Sequence, residues 1–352
     1  MMQIESYRGP YQVIKTNNFD FISEISKEDY IFSIIDKKIL ELYPDELRPL
    51  IEKNHFVVEA IETNKTLDTS MEIINELVQM ESKKNTVVVA VGGGIIQDIS
   101  CFVSTVLYRG IKWYLIPTTL LAQTDSCIGS KSSINYKEFK NLLGSFYPPK
   151  RIFICTDFLK TLTDKDYKSG LGEIAKCMLM SSKENFTEFC TDLPEILKRD
   201  YNLVMKHMSR TLSFKKGIIE QDEFDTGIRN IMNYGHTFGH AIESSTKYAI
   251  PHGQAVSIGV LIANTISVKR GMIKDDYANF ILRNIRSIIS NDFFGNHLID
   301  PDSVIKNMKM DKKYTGKHNC ILLSETGANI IKGVSETEIA EAIQSIVDEM
   351  GF

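Results

Sequence analysis

The chain has 352 residues, 43% of them hydrophobic, with 41 basic against 45 acidic side chains and a formal net charge of −4. That length accommodates two domains with cores of their own, and the near balance of charge excludes a surface built around nucleic-acid or membrane attraction. No apolar run approaches the roughly 20 residues that span a bilayer, MMQIESYRGP lacks a leader pattern, and six cysteines without a CxxC pair read as reduced thiols, so a cytoplasmic location is expected.

In chain order, Ile31 to Ile35 and His55 to Ala60 read as short strands, and Leu67 to Glu81 as a helix with Met71, Ile73, Ile74, Leu77 and Val78 on its apolar face. Thr86 to Val91 is a continuous apolar strand, of the kind buried on both faces of a parallel sheet, and it runs straight into Gly92, Gly93 and Gly94. Strands over Lys112 to Ile116 and Arg151 to Cys155 continue the alternation, which predicts a doubly wound α/β domain with its ligand crevice at the strand carboxyl ends. After Leu162 the pattern changes. From Lys165 to about Ile289 helical periodicity dominates, and AVSIGVLIANTISV, apolar nearly all round, reads as a buried core helix. NCILLS and NIIKGV predict a hairpin around Thr326 and Gly327, and Glu336 to Met350 a closing amphipathic helix. The expected organisation is an α/β domain over residues 1–162 and a mainly helical domain over residues 163–352.

Four segments carry chemistry. The glycine triplet lets phosphate oxygens approach backbone amides at a helix N-terminus, although a tight strand-to-helix turn alone also explains it. Its spacing is not G-x-G-x-x-G, so the standard dinucleotide fingerprint does not apply. Asp98, four residues on, offers acceptors to a ribose or nicotinamide, or else is a first-turn acid that suits the helix dipole. Pro117 to Pro149 is a loop-rich stretch presenting Thr118, Thr119, Asp125, Lys131, Lys140 and Asn141. Its lysines sit among Gly, Ser and Asn rather than in a charge run, which favours binding over solvated surface. In GLGEIAKCMLM, Glu173 and Lys176 share a helix whose other positions are apolar, either as an internal salt bridge or with the carboxylate ligating a metal. In RNIMNYGHTFGHAIESSTKYAIPH, His236 and His240 stand at i and i+4 with Asn233 three residues earlier. One helix through all three presents them on a polar side, opposite Ile231, Met232, Phe238 and Ile242. His252 returns a third imidazole after a proline turn. Capping and packing is one reading; the other is a divalent cation completed by a carboxylate from elsewhere, with positions open for substrate oxygens.

Taken together, GGGIIQD, PTTLLAQTDSCIGSKSSIN, KNLLGSFYPP, LKTL, GLGEIAK, DEFDTGIRNIMNYGHTFGHAIE and HGQAV resemble the dehydroquinate synthase family of sugar phosphate cyclases, in its order and close to its spacing from Thr86 to Ile258. The resemblance implies an N-terminal NAD-binding α/β domain and a helical domain holding a divalent metal, zinc or cobalt. By position it implies Glu173, His236 and His252 as metal ligands, with His240 binding substrate and handling protons instead. It implies substrate contacts from Asp125, Lys131, Asn141, Lys176, Lys215, Arg229, Asn233 and Lys312. Arg109 is implied to reach the phosphate site of a neighbouring subunit, hence a homodimer. For NAD it implies Asp36, Glu62, Lys65, Gly93, Gly94, Asp98, Thr118, Thr119, Lys140, Thr161 and Leu162.

The implied reaction is the lyase step of the shikimate pathway that turns 3-deoxy-D-arabino-heptulosonate 7-phosphate into 3-dehydroquinate. NAD⁺ transiently oxidises a ring hydroxyl, phosphate leaves, the hydride returns, and an intramolecular aldol step closes the carbocycle. The chain departs from the family's usual residues at Ser130 and Ser132, where GGK-T is usual, at Phe139 in place of a glycine, at Gln254 in place of an acid and at Asp166 in place of glutamate. Asn233 and His240, which sister cyclases acting on sedoheptulose 7-phosphate commonly change, are retained and favour the shikimate substrate. A sister cyclase and a metal-dependent polyol dehydrogenase that accumulates NADH are the competing expectations, and no nucleic-acid or membrane partner is expected.

Overall fold

The computed structural model describes residues 1–16, 18–137, 139–294, 299–310 and 317–352. The chain forms two compact units. One comprises Met1–Leu162 with Lys216–Phe224, and the other Thr163–Lys215 with Asp225–Phe352. The stretch Lys216–Phe224, expected with the helical domain, thus packs with the first unit.

The first unit is built on a seven-stranded sheet. Its strands are β1 (Met2–Ile4), β2 (Tyr11–Thr16), β3 (Ile31–Asp36), β4 (Asn54–Val58), β5 (Val87–Gly92) and β6 (Lys112–Pro117), with β9 (Arg151–Cys155) following a separate hairpin of β7 (Lys131–Tyr136) and β8 (Phe139–Phe146). The order is β1-β2-β9-β6-β5-β3-β4, and every pair is parallel except β1 with β2. All six residues of β5 are buried, as a continuous β-branched run at the centre of a parallel sheet requires. Its alternate residues Val87, Val89 and Val91 join Ile31, Ile35, Ile116, Phe153 and Phe158 in one buried cluster, each such side chain contributing about 1.5–3 kcal/mol. From β3 the sheet grows outward to β4, whereas β5, on the other side of β3, leads on to β6. The boundary between β3 and β5 is therefore a topological switch point, where a crevice opens at the carboxyl ends of the strands.

The helices of this unit are α1 (Asp20–Ile25), α2 (Lys37–Leu42), α3 (Arg48–Ile51), α4 (Leu67–Gln79) and α5 (Gly94–Val106). α4 presents a narrower stripe than its sequence suggests. Ser70, Ile73 and Leu77 are buried, while Met71 and Val78 are about half exposed. Ser70 tolerates burial because its hydroxyl donates to Thr66 O at 2.9 Å within its own helix. Two further differences concern strands. β1 and β2 were not expected, and the segment expected to be loop-rich contains the β7–β8 hairpin. Ser132 and Ile134 of β7 are buried and the strand packs on α5, so an alternation is present, but only one of its two buried positions is apolar.

The second unit is helical. It contains α6 (Asp164–Ser181), α7 (Lys183–Leu197), α8 (Tyr201–Ile219, whose residues from Lys216 belong to the first unit), α9 (His236–Ser245), α10 (His252–Lys269), α11 (Asp275–Ile288), α12 (Pro301–Lys309) and α13 (Glu336–Met350). The hairpin of β10 (His318–Ser324) and β11 (Gly327–Val334) precedes α13, as expected. α10 is buried along most of its length because α6, α9, α11, α13 and β10 all pack on it. Two of those contacts bring backbones together. A Cβ on Gly253 of α10 would lie 1.8 Å from Ser169 O, and one on Gly172 of α6 would lie 2.1 Å from Gly253 O. On the next turns a Cβ on Gly259 would lie 2.1 Å from Gly235 O.

Asn233, His236 and His240 do not share one helix. Asn233 ends a 3-10 turn, Ile228–Asn233, and Gly235 follows at φ 78° before α9 begins at His236. The left-handed residue is the cause of the break, and the glycine is needed there twice over, because a Cβ would also meet Val260 Cγ2 at 2.7 Å. Among the described residues no helix is long and apolar enough to cross a membrane.

Candidate active site

In the first unit, residues expected to bind cofactor follow the carboxyl ends of the parallel strands. Asp36 closes β3, Glu62 and Lys65 follow β4, Gly93 and Gly94 follow β5, Thr118 and Thr119 follow β6, and Thr161 and Leu162 follow β9. The Asp36 carboxylate accepts from Lys38 N–H at 3.0 Å and so caps α2, while burial raises its pKa. Thr161 Oγ1 lies 2.9 Å from Tyr43 Oη. Beside Gly94, at the start of α5, an added Cβ would meet nothing within 4 Å, and a Cβ on Gly93 would touch Thr119 Cγ2 at 3.0 Å. Thr118 Oγ1 is buried without a hydrogen-bond partner among the described residues. Open backbone at a helix N-terminus next to an unsatisfied hydroxyl fits the pyrophosphate of a dinucleotide.

A second group of these residues converges on Lys65, which is 6% exposed. Its Nζ donates to Asn141 Oδ1 at 2.7 Å and to Asp98 Oδ2 at 3.1 Å, and lies 3.6 Å from Glu62 Oε1. Asp98 also accepts from Ser133 N–H at 3.2 Å, and burial pushes its pKa up to about 6 against the pull of Lys65. It lies in the second turn of α5 and is mostly covered, which removes the reading of an exposed first-turn acid. Lys65, Asp98, Lys131 and Asn141 line a cavity of about 420 Å³. Lys140 Nζ lies 3.9 Å from Glu62 Oε1. Asp125, half-buried on the π-helical turn Ala122–Ser126, and Arg109, exposed just after α5, are not among its lining residues.

The second unit assembles the histidines. Nitrogens of His236, His240 and His252 lie within 4.8 Å of one another. Glu173 is fully buried, and its Oε1 sits 3.6 Å from Nε2 of both His236 and His252. That spacing is long for a hydrogen bond. It matches adjacent ligands of a tetrahedral ion, which bonds of about 2.1 Å place roughly 3.4 Å apart. Neither Glu173 oxygen has a hydrogen-bond partner among the described residues, although Lys176 Nζ lies 2.6 Å from Oε2. A buried carboxylate left short of partners and aimed at two imidazoles fits a divalent cation. The helix crossings explain the convergence, because Gly172 precedes Glu173 on α6 and Gly253 follows His252 on α10, so the near contact of these backbones brings Glu173 beside His252.

The outer nitrogens fix the tautomers. His252 Nδ1 donates to Glu243 Oε2 at 3.0 Å and His236 Nδ1 to Tyr234 O at 3.3 Å, leaving each Nε2 lone pair towards Glu173. His236 is held well below its ordinary pKa, first by burial and then by Lys176, which favours the neutral imidazole, the form able to bind a metal ion. Glu243 was not singled out from the sequence, yet it stands seven residues after His236 and three after His240, on the same face of α9. Glu243→Gln is expected to weaken zinc binding about 10- to 100-fold while leaving the fold intact, as zinc titration with a competing chelator would measure.

Lys176, Lys215 and Arg229 are 2%, 6% and 5% exposed, three cations withdrawn from water within one unit, as an anionic substrate would use. Asn233 Nδ2 donates to Asn230 O at 3.1 Å, and His240 is the most open of the three imidazoles. Lys312 lies outside the described residues. Two departures from the family's usual residues have structural explanations. Gln254 is fully buried, donating to Lys165 O at 3.0 Å and accepting from Ser290 N–H at 2.8 Å, a pairing that an ionised acid could not make. Asp166 exchanges hydrogen bonds with Thr163 as the capping pair of α6. Phe139 is 61% exposed at the start of β8.

Two family models, described as the 3-dehydroquinate synthase N-terminal and C-terminal domains, match residues 55–169 and 170–314. The chain is 38% identical over 294 residues to a 3-dehydroquinate synthase from Dehalococcoides mccartyi, covering 82% of this chain and 79% of that one. It is 34% identical over 327 residues to another from Dictyoglomus thermophilum, covering 91% and 90%. Among solved structures, a 2-epi-5-epi-valiolone synthase from Streptomyces hygroscopicus with NAD⁺ and Zn²⁺ bound superposes with a TM-score of 0.84 at 20% identity, over 96% of this chain and 97% of that one.

Proposed function

From the premise that the chain belongs to the 3-dehydroquinate synthase family, we propose that it converts 3-deoxy-D-arabino-heptulosonate 7-phosphate into 3-dehydroquinate with release of phosphate. The observation that carries the reading is Glu173 Oε1, buried without a hydrogen-bond partner among the described residues and 3.6 Å from two imidazole nitrogens. The likeness to the valiolone synthase is one of fold, whereas the sequence likeness runs to relatives named for the dehydroquinate reaction.

In this reading the unit of residues 1–162 and 216–224 binds NAD and supplies some of the substrate contacts, and the unit of residues 163–215 and 225–352 binds the metal and supplies the others. Glu173, His236 and His252 would hold a zinc or cobalt ion. NAD would rest against Asp36, Glu62, Lys65, Gly93, Gly94, Asp98, Thr118, Thr119, Lys140, Thr161 and Leu162. When bound, the ion supplies Lewis acidity towards a substrate oxygen, and NAD supplies a hydride acceptor that is restored by the end of the cycle. Lys131, Asn141, Lys176, Lys215 and Arg229 bring cationic and amide donors to a substrate with a phosphate and a carboxylate, favouring charge that builds as phosphate departs. Asp125, Asn233 and Lys312 complete the substrate contacts. His240, on the open side of the cluster, is the group placed to take and return a proton. A homodimer in which Arg109 reaches the partner's phosphate site and a cytoplasmic location belong to the same proposal.

The test is phosphate release by purified, zinc-loaded protein given NAD⁺ and the seven-carbon substrate, with the product identified by mass. Chelator-sensitive formation of dehydroquinate without net NADH is expected. NADH that accumulates would point to a dehydrogenase, and silence towards this substrate with turnover of sedoheptulose 7-phosphate to a sister cyclase.

A further inference from the structure

We propose that Glu223 is a positioning residue for Lys131, acting through Ser130. The inference rests on the assignment of Lys131 to substrate binding. Ser130 immediately precedes β7 and sits at φ 64°, directly after Gly129 at φ 101°. Two consecutive left-handed residues turn the chain sharply before Lys131. Glycine enters that region freely and a serine does not, so something must hold it.

The holding group is a carboxylate distant in sequence. Ser130 Oγ donates to Glu223 Oε1 at 2.6 Å, and Ser130 is 6% exposed. The same oxygen accepts from Ser6 Oγ at 2.6 Å, and Glu223 Oε2 accepts from Tyr7 N–H at 2.9 Å. All four residues belong to the first unit. The backbone around the turn is tied as well, since Tyr147 N–H donates to Ser130 O at 2.7 Å and Gly129 N–H to Tyr11 Oη at 3.1 Å.

The residue after Glu223 secures the opposite strand. The Phe224 ring packs between those of Tyr7 and Phe146, each with a centroid separation of 5.2 Å, and Phe146 is the cross-strand partner of Lys131 in the β7–β8 register. Glu223 and Phe224 therefore hold both strands at the point where Lys131 leaves the hairpin for the cavity it shares with Lys65, Asp98 and Asn141. The nitrogen of a glutamine amide cannot accept a hydrogen bond, so an amide in place of this carboxylate loses a partner that Glu223 holds.

The experiment compares full-length wild type with Glu223→Gln, Ser130→Ala and Ser130→Gly. Glu223→Gln and Ser130→Ala are expected to raise KM for the sugar phosphate roughly 10- to 100-fold with a smaller fall in kcat, while zinc and NAD⁺ affinities stay the same. Ser130→Gly is expected to lose less than Ser130→Ala, because alanine keeps the left-handed penalty without the anchor. Acetylation of Lys131 in competition with the other lysines, followed by mass spectrometry, needs no substrate and is expected to change rate in Glu223→Gln and Ser130→Ala. Unchanged KM and unchanged Lys131 labelling in folded Glu223→Gln would overturn the proposal, as would Ser130→Ala performing as well as Ser130→Gly. If Glu223→Gln fails to fold, the alanine and glycine pair decides. A wild type that releases no phosphate, alongside a clear labelling shift in the variants, would remove the substrate reading and leave the positioning role standing.

Discussion

Glu173→Gln is expected to abolish metal binding and to lower kcat roughly 1000-fold or more, since it removes the anionic ligand and the ion's charge stabilisation together. Its effect on stability separates two roles of the same side chain. Wild type should gain about 4 kcal/mol at zinc concentrations 1,000-fold above Kd, and the variant should gain nothing. Without zinc the variant should still be the less stable protein. Lys176, 2% exposed and 2.6 Å from Glu173 Oε2, loses the carboxylate that compensates its burial, a loss of about 3–5 kcal/mol for a pair this deeply buried. Thermal melts of both proteins, with zinc and with chelator, give all four numbers. Equal zinc-induced shifts in the two proteins would remove Glu173 from the ligand set.

Gly253→Ala is expected to be the most damaging of the small substitutions. The added methyl would stand 1.8 Å from Ser169 O, backbone against backbone, with no flexible side chain to yield. Relief requires α10 to move away from α6, and that movement carries His252 away from Glu173. A loss of about 3 kcal/mol or more is expected, with zinc affinity falling alongside it. Urea denaturation of the chelated protein measures the packing cost alone, and zinc titration of the folded fraction measures the displaced ligand. A variant that melts like wild type and binds zinc normally would show that the crossing has slack.

The parts legible in the sequence were those where one physical requirement dominates. Thr86 to Val91 could only be a strand buried on both faces, and the run within α10 is apolar all round because five elements surround it. The histidine cluster was legible because the i and i+4 spacing survives in α9, although the helix begins only at His236. Asn233 reads as part of that helix until Gly235 is seen at φ 78°, since a 3-10 turn preserves spacings of three while changing direction. The β7–β8 hairpin was hidden for another reason. Of its buried residues Ser132, Ile134 and Asn135 only one is apolar, and apolar alternation is the signal that a strand normally gives. Glu243 went unread because its partner, His252, is brought to it by the turn after α9 rather than by helical spacing. Long-range contact likewise settles where Lys216–Phe224 belongs, as Glu223 is bound to Ser6, Tyr7 and Ser130.

That last stretch limits how the gene can be cut. The chain passes from one unit to the other three times, after Leu162, Lys215 and Phe224. A fragment ending at Leu162 would keep every strand of the seven-stranded sheet, yet Ser6 and Ser130 would have lost the carboxylate they share. Recombination at a single breakpoint therefore cannot exchange the two units as independent modules. A chimera that joins this first unit to a relative's helical unit inherits a foreign segment at 216–224, and only relatives with an acid in register at Glu223 would make compatible donors.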